Sequence, residues 1–303
     1  MTRLKVTIPY QFYMRPSTGM AMLVALLVLG GCATSTPHAY DAEQEIEFLY
    51  SRAGPHAVTT TDIPATFGQP GGRVYLPAGH DEPAPLVVWQ NGTGEPIGTY
   101  DAIARHLASW GMVVIGSDDR QMATGERAVA MLANARLWSM TRDHPLFARV
   151  DADTFALVGS SQGAVSTINA HTQYETGHGA TALAIHGTPT DDAIAFFRLD
   201  MGYDAGAVTA PTLILTGTED EFISPLWLNR ALFEGMRGPG LRVLAVANGA
   251  DHIEFANDAS RFRGYLTAWL LFQLLNDPHA AQGFIGRSEI MSNPGWSVAD
   301  VIQ

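Results

Sequence analysis

Cysteine is almost absent: Cys32 is the only one in 303 residues. No intramolecular disulfide can form, and no cysteine cluster can hold a metal. Basic charge is also scarce, with 18 Lys and Arg against 30 Asp and Glu, a formal charge of -12 and an isoelectric point near 5.2. With no basic run, the chain has no electrostatic footprint for a phosphate backbone, which argues against nucleic acid as a partner. There is no His-x-x-x-His pair and no Gly-x-Gly-x-x-Gly after the first strand, so neither a metal nor a dinucleotide cofactor is expected. Internal repeats and low-complexity blocks are missing too. What is present is apolar: 47% of the residues, enough for a sizeable core in one large or two small domains.

Residues 1–31 have the layout of a secretory signal: basic Arg3, Lys5 and Arg15, an apolar run from Met20 to Leu29, then small residues. The run is too short to span a bilayer comfortably. It ends in Leu29-Gly30-Gly31-Cys32, which resembles the bacterial lipobox, where cleavage precedes a cysteine that then carries lipid. The expectation is an exported cell-envelope lipoprotein, anchored to a membrane through Cys32. Ala33 suits the outer membrane, facing the periplasm, by resemblance to enteric lipoproteins. Residues 32–59 read as a polar tether with one short helical stretch near Glu43 to Tyr50, and residues 60–303 as the folded domain.

Within that domain, short β-branched runs alternate with amphipathic segments, the pattern of a mostly parallel central sheet with helices on both faces. Strands are expected at 73–76, 86–90, 112–117, 154–158, 182–185, 212–216 and 242–247, and helices at 97–110, 125–141, 162–174, 225–236 and 260–275. Residues 191–210 are the one candidate for a small lid, and no large cap domain is expected.

Phe155 to Val158 is an apolar strand that runs into Gly159-Ser160-Ser161-Gln162-Gly163 and then a helix. This is the context of a nucleophile elbow, in which a serine sits on a strained turn and small residues two before and two after it relieve crowding. The glycine spacing selects Ser161 over Ser160, whose role would be to tighten the turn. A serine nucleophile needs an imidazole to accept its proton and a carboxylate to orient the imidazole, in the chain order Ser, Asp, His. Asp220 follows the apolar strand Thr212 to Thr216, with Glu219 and Glu221 as flanking alternatives. His252 follows the strand ending at Ala247 and a short polar turn. His186, just past another strand, is placed to shape a pocket. For the oxyanion, one N–H is expected from Gln162 and a second from the loop Asn91-Gly92-Thr93-Gly94, with Thr93 ahead of Gly92.

These residues resemble the cutinase-like and chlorophyllase-like bacterial α/β-hydrolases, which include the polyester hydrolases. Leu107 to Val114 is similar to their LASHGFVV segment, Thr124-Gly125 with Met131-Leu132-Ala133 to a TG…MLAAL helix, and Gly159 to Gly163 with Ile168-Asn169-Ala170 to their GHSQGG…INA elbow. Ala268-Trp269-Leu270, Phe284-Ile285-Gly286 and Asn293-Pro294-Gly295-Trp296 look like the family's C-terminal helix and tail. The departures are Ser160 in place of histidine, Ala164-Val165-Ser166 in place of a glycine run, Thr93 where polyester hydrolases carry an aromatic, and no C-terminal cysteines. The resemblance implies an α/β-hydrolase fold, a carboxylic ester substrate with a small or medium acyl group, and no cofactor. The same triad would serve a thioesterase, lactonase or peptidase. A non-catalytic envelope binding lipoprotein is the reading of a different class, and three triad positions kept in order argue against it.

Overall fold

The computed structural model describes residues 45–66, 69–79, 82–196, 198–256 and 258–302. The signal segment, Cys32 and the start of the tether lie outside the described residues. From the N-terminal side come helix α1 (Glu45–Ser51), strands β1 (Val58–Ile63), β2 (Gly72–Pro77) and β3 (Ala84–Gln90), helix α2 (Asp101–Ser109), β4 (Val113–Ser117), α3 (Glu126–Met140), β5 (Val150–Ser160) and α4 (Gln162–Gln173). Then follow α5 (Glu175–His178), β6 (Ala182–His186), α6 (Asp191–Phe196), β7 (Thr212–Gly217), α7 (Leu226–Gly235), β8 (Arg242–Ala247), α8 (Arg263–Leu275), α9 (Glu289–Ser292) and β9 (Trp296–Ile302).

The strands form one sheet in the order β1-β2-β4-β3-β5-β6-β7-β8-β9. From β4 through β3 and on to β8 the pairing is parallel, and antiparallel strands close both edges. This is the α/β-hydrolase architecture expected from the sequence. The inner strands β3, β4, β6 and β7 are buried along their whole length because helices cover both faces. Side chains alternate between two cores: Val87 and Trp89 join α2 and α8 on one face, while Leu86 and Val88 join α3, α4 and α7 on the other.

All seven expected strands are present, and β1 and β9 are additional. Val58-Thr59-Thr60-Thr61-Asp62-Ile63 is an edge strand with largely exposed side chains, so it has no apolar run to announce it. Residues 45–51, within the expected tether, form α1, whose Ile46 and Tyr50 are buried in the α8-side core. Residues 191–210 hold α6 and one short helical turn, Ala205–Ala207. No described helix is long and apolar enough to cross a membrane.

Candidate active site

In a parallel sheet of this kind, the strand ends at the carboxyl edge converge on a crevice. Here β3, β5, β6, β7 and β8 deliver Asn91 to Gly94, Ser161, His186, Asp220 and His252 to that edge. Ser161 lies between β5 and α4 at φ 56°, ψ -119°, a conformation that costs a non-glycine residue on the order of 1–3 kcal/mol. Its neighbours make the turn possible. A Cβ on Gly159 would lie 2.1 Å from the Gly163 carbonyl oxygen, and one on Gly163 would lie 2.1 Å from that of Gln90. The elbow thus presses against β3 with no room for a side chain at either glycine. The Ser161 N–H donates to the His186 carbonyl at 2.8 Å, which fixes the turn to β6.

Asp220 and His252 meet directly, with His252 Nδ1 2.6 Å from Asp220 Oδ2. The other carboxylate oxygen, Oδ1, accepts from the Ser224 N–H at 2.9 Å. Asp220 is only 3% exposed, whereas Glu219 and Glu221 are exposed, so the geometry singles out the middle residue of the three. The two loops are joined beyond their strands: Thr218 N–H donates to Ala247 O, Glu219 N–H to Ala250 O, and Gly249 N–H to Thr218 Oγ1. Gly217 permits this approach, since a Cβ there would fall 2.0 Å from the Ala250 oxygen. His252 opens a short helical turn, His252–Phe255, capped by Asp251, whose side chain accepts from the Ile253 and Glu254 N–H groups.

An imidazole held through Nδ1 by a carboxylate keeps Nε2 for exchanging a proton with a hydroxyl. No hydrogen bond joins Ser161 to His252 among the described residues, a separation common in ligand-free hydrolases that closes when substrate binds. The two are nonetheless neighbours. Gly187 follows the residue that accepts the Ser161 N–H, and a Cβ placed on it would touch the His252 ring at 2.7 Å.

The two residues expected to flank the oxyanion have neighbouring side chains. Gln162 Nε2 lies 3.5 Å from Thr93 Oγ1, and Gln162 Oε1 accepts from the Met122 N–H at 2.6 Å. Among the described residues no hydrogen bond occupies the Thr93 or Gln162 N–H, whereas the Gly92 N–H donates to the Tyr100 hydroxyl at 2.9 Å. Of the two loop candidates, Thr93 is therefore the one with a donor to spare. Asn91 anchors the loop from below, its side-chain amide donating to Ser117 O and Asp119 O.

His186 stands elsewhere than a pocket-lining reading requires. It is buried behind the elbow, with Nδ1 3.1 Å from Ser160 Oγ and its ring stacked 4.2 Å from Phe255. Burial, and then the charge of His252, push its pKa well down, so the ring is neutral. Tyr100, Gly187 and Ser224 escaped the sequence reading. They carry no motif of their own and matter only through neighbours that the sheet brings up. Among the described residues, no group of three or more His, Cys, Asp and Glu is placed to hold a metal.

A family model described as PETase, PET hydrolase-like, matches residues 33–290. No curated protein matches the chain.

Proposed function

The chain belongs to the PET hydrolase-like family of α/β-hydrolases, which act on esters, and we propose that it is a serine hydrolase cleaving carboxylic esters through an acyl-enzyme. Ser161 is the nucleophile, His252 the general base and Asp220 the acid that holds the base. The observation that carries this reading is the 2.6 Å Asp220–His252 pair beside a strained serine on a glycine-flanked turn.

His252 Nε2 takes the Ser161 proton as Oγ attacks the ester carbonyl carbon. Negative charge collects on the former carbonyl oxygen, where the Thr93 and Gln162 N–H groups stabilise it. The C–O bond to the alcohol then breaks, and His252 returns the proton to the departing oxygen. Water, deprotonated in turn by His252, attacks the acyl-enzyme and releases the acid. Asp220, buried and accepting from both His252 and Ser224, keeps the proton of the neutral base on Nδ1 and favours the imidazolium that forms in each half-reaction. With no cap domain among the described residues, acyl groups of small or medium size are the expected substrates. Thr93 and Gln162 put no aromatic face at the oxyanion end, which favours soluble esters over an aromatic polyester.

Turnover of p-nitrophenyl esters from acetate to palmitate tests the reading. The Ser161→Ala variant should lose activity by roughly 10³-fold or more at every chain length that the parent accepts. Turnover that survives the substitution would remove Ser161 from the mechanism.

A further inference from the structure

Behind the oxyanion loop and the elbow lies a set of buried polar groups that the mechanism above does not use. Tyr100 closes the short helical turn Ile97–Tyr100, and its ring is buried against Trp89, with centroids 5.1 Å apart. Its hydroxyl donates to Glu95 Oε2 and accepts from the Gly92 N–H. The phenol thus links the Glu95 carboxylate to the backbone of the oxyanion loop. The start of that loop in turn presses on the elbow, since a Cβ on Gly163 would lie 2.1 Å from Gln90 O and 2.8 Å from Asn91 O.

We propose that Tyr100, held by Glu95, is a positioning residue for the oxyanion loop, and that by fixing the Gly92 amide it keeps Thr93 in register with the nucleophile elbow. A loop that ends in Asn-Gly-Thr-Gly has several ways to turn its amides. The phenol consumes the Gly92 N–H, and Gly92 is the residue whose missing side chain lets it approach, since a Cβ there would lie 2.9 Å from the Tyr100 oxygen. With that amide committed, the next one along, Thr93, is left to face the site. Oxyanion donors act only if held within about 0.5 Å of their working position. A buried hydroxyl that both accepts and donates is a rigid support, and a positioning residue of this kind acts on the transition state more than on substrate binding.

The inference rests on the serine-hydrolase reading, so the experiment separates the two. The full chain, Tyr100→Phe, Glu95→Ala and Ser161→Ala are compared on p-nitrophenyl butyrate, with active sites counted by exhaustive fluorophosphonate labelling and thermal melts run alongside. Tyr100→Phe should lower kcat on the order of 10-fold while KM stays within about twofold. Affinity for a phenylboronic acid, which forms a tetrahedral adduct on the serine, should weaken by the same factor as kcat. Glu95→Ala, which removes the acceptor of the phenol proton, should move both quantities in the same direction by less. A Tyr100→Phe protein that melts cooperatively and keeps the parental kcat and boronate affinity overturns the proposal. Should that variant fail to fold, Glu95→Ala decides in its place, and an unchanged kcat there overturns it equally. An inactive parent, or Ser161→Ala with undiminished turnover, would instead defeat the serine-hydrolase reading on which the inference stands.

Discussion

Gly187 has φ +63°, and a Cβ built on it would lie 2.7 Å from His252 Cε1 and 2.9 Å from Nδ1. A methyl group there cannot be absorbed by a flexible neighbour, because the ring it meets is held by Asp220. Gly187→Ala should therefore push the imidazole away from Ser161, with a backbone cost of about 1–2 kcal/mol from the left-handed conformation. The expected result is a fall in kcat on the order of 10²-fold, the penalty of misplacing a reacting group by about an ångström. Circular dichroism and a cooperative melt should remain close to the parent's. If kcat holds within twofold, the ring is not confined as the geometry implies. The contrast with Gly159 and Gly163 shows what sequence can disclose at this scale. Those two stand at fixed offsets from Ser161 in a local motif, so their need for small size is visible in the string. Gly187 owes its constraint to a histidine 65 positions away, delivered by β8, and nothing in His186-Gly187-Thr188 announces it.

The β6–β7 connection, the one candidate for a lid, is more firmly tied down than its polar sequence suggests. Thr190 accepts from the Ala193 N–H through Oγ1 and from the Ile194 N–H through its carbonyl, capping α6. The same residue donates its hydroxyl to Phe222 O and its N–H to Ile223 O, joining α6 to the loop that follows Asp220. In consequence Phe196, 61% exposed, meets Phe222, 54% exposed, edge to face at 5.8 Å. Phe222 comes two residues after Asp220 and Ile253 directly after His252, and with Phe196 all three side chains are exposed, which makes them the candidates for an apolar flank to the site. Phe196→Ala should leave acetate turnover intact and lower kcat/KM for hexanoate or longer acyl chains by roughly 10-fold, the worth of one large ring in contact with substrate. An equal loss on acetate would show that the ring supports the acid loop instead of contacting the acyl chain. The strands and helices of the inner sheet were legible because each is a buried apolar run or an amphipathic stretch with its own periodicity. Short α6 has neither, and its position depends on a threonine whose partners lie 32 residues ahead.

At the scale of the whole molecule, the two ends of the described chain close over one buried carboxyl. Glu47 of α1 is 1% exposed; Asn293 Nδ2 and Trp296 Nε1 donate to its oxygens, and Glu289 accepts from the Ile46 and Glu47 N–H groups. Residues 45–51 read as tether because their apolar stripe is short and its partners are more than 200 residues away. Only the closed fold shows that α1 belongs to the core. Burial raises the Glu47 pKa from 4.5 to about 7, against the pull of the Asn293 and Trp296 hydrogen bonds and with a further push from Glu289. The native state therefore keeps a proton that the unfolded chain releases between about pH 4.5 and 7, so folding loses stability as pH climbs through that window, by roughly 3 kcal/mol when complete. Glu47→Gln removes the titration while keeping the shape. Its single amide oxygen cannot serve both the Asn293 and Trp296 donors, so at pH 5 the variant should be less stable than the parent by about 1 kcal/mol. By pH 8 the order should reverse, the parent having lost stability that the variant had no carboxyl to lose. Urea midpoints for the two proteins at half-unit steps from pH 5 to 8 would show crossing curves; parallel curves would mean that Glu47 is already ionised in the native fold at pH 5.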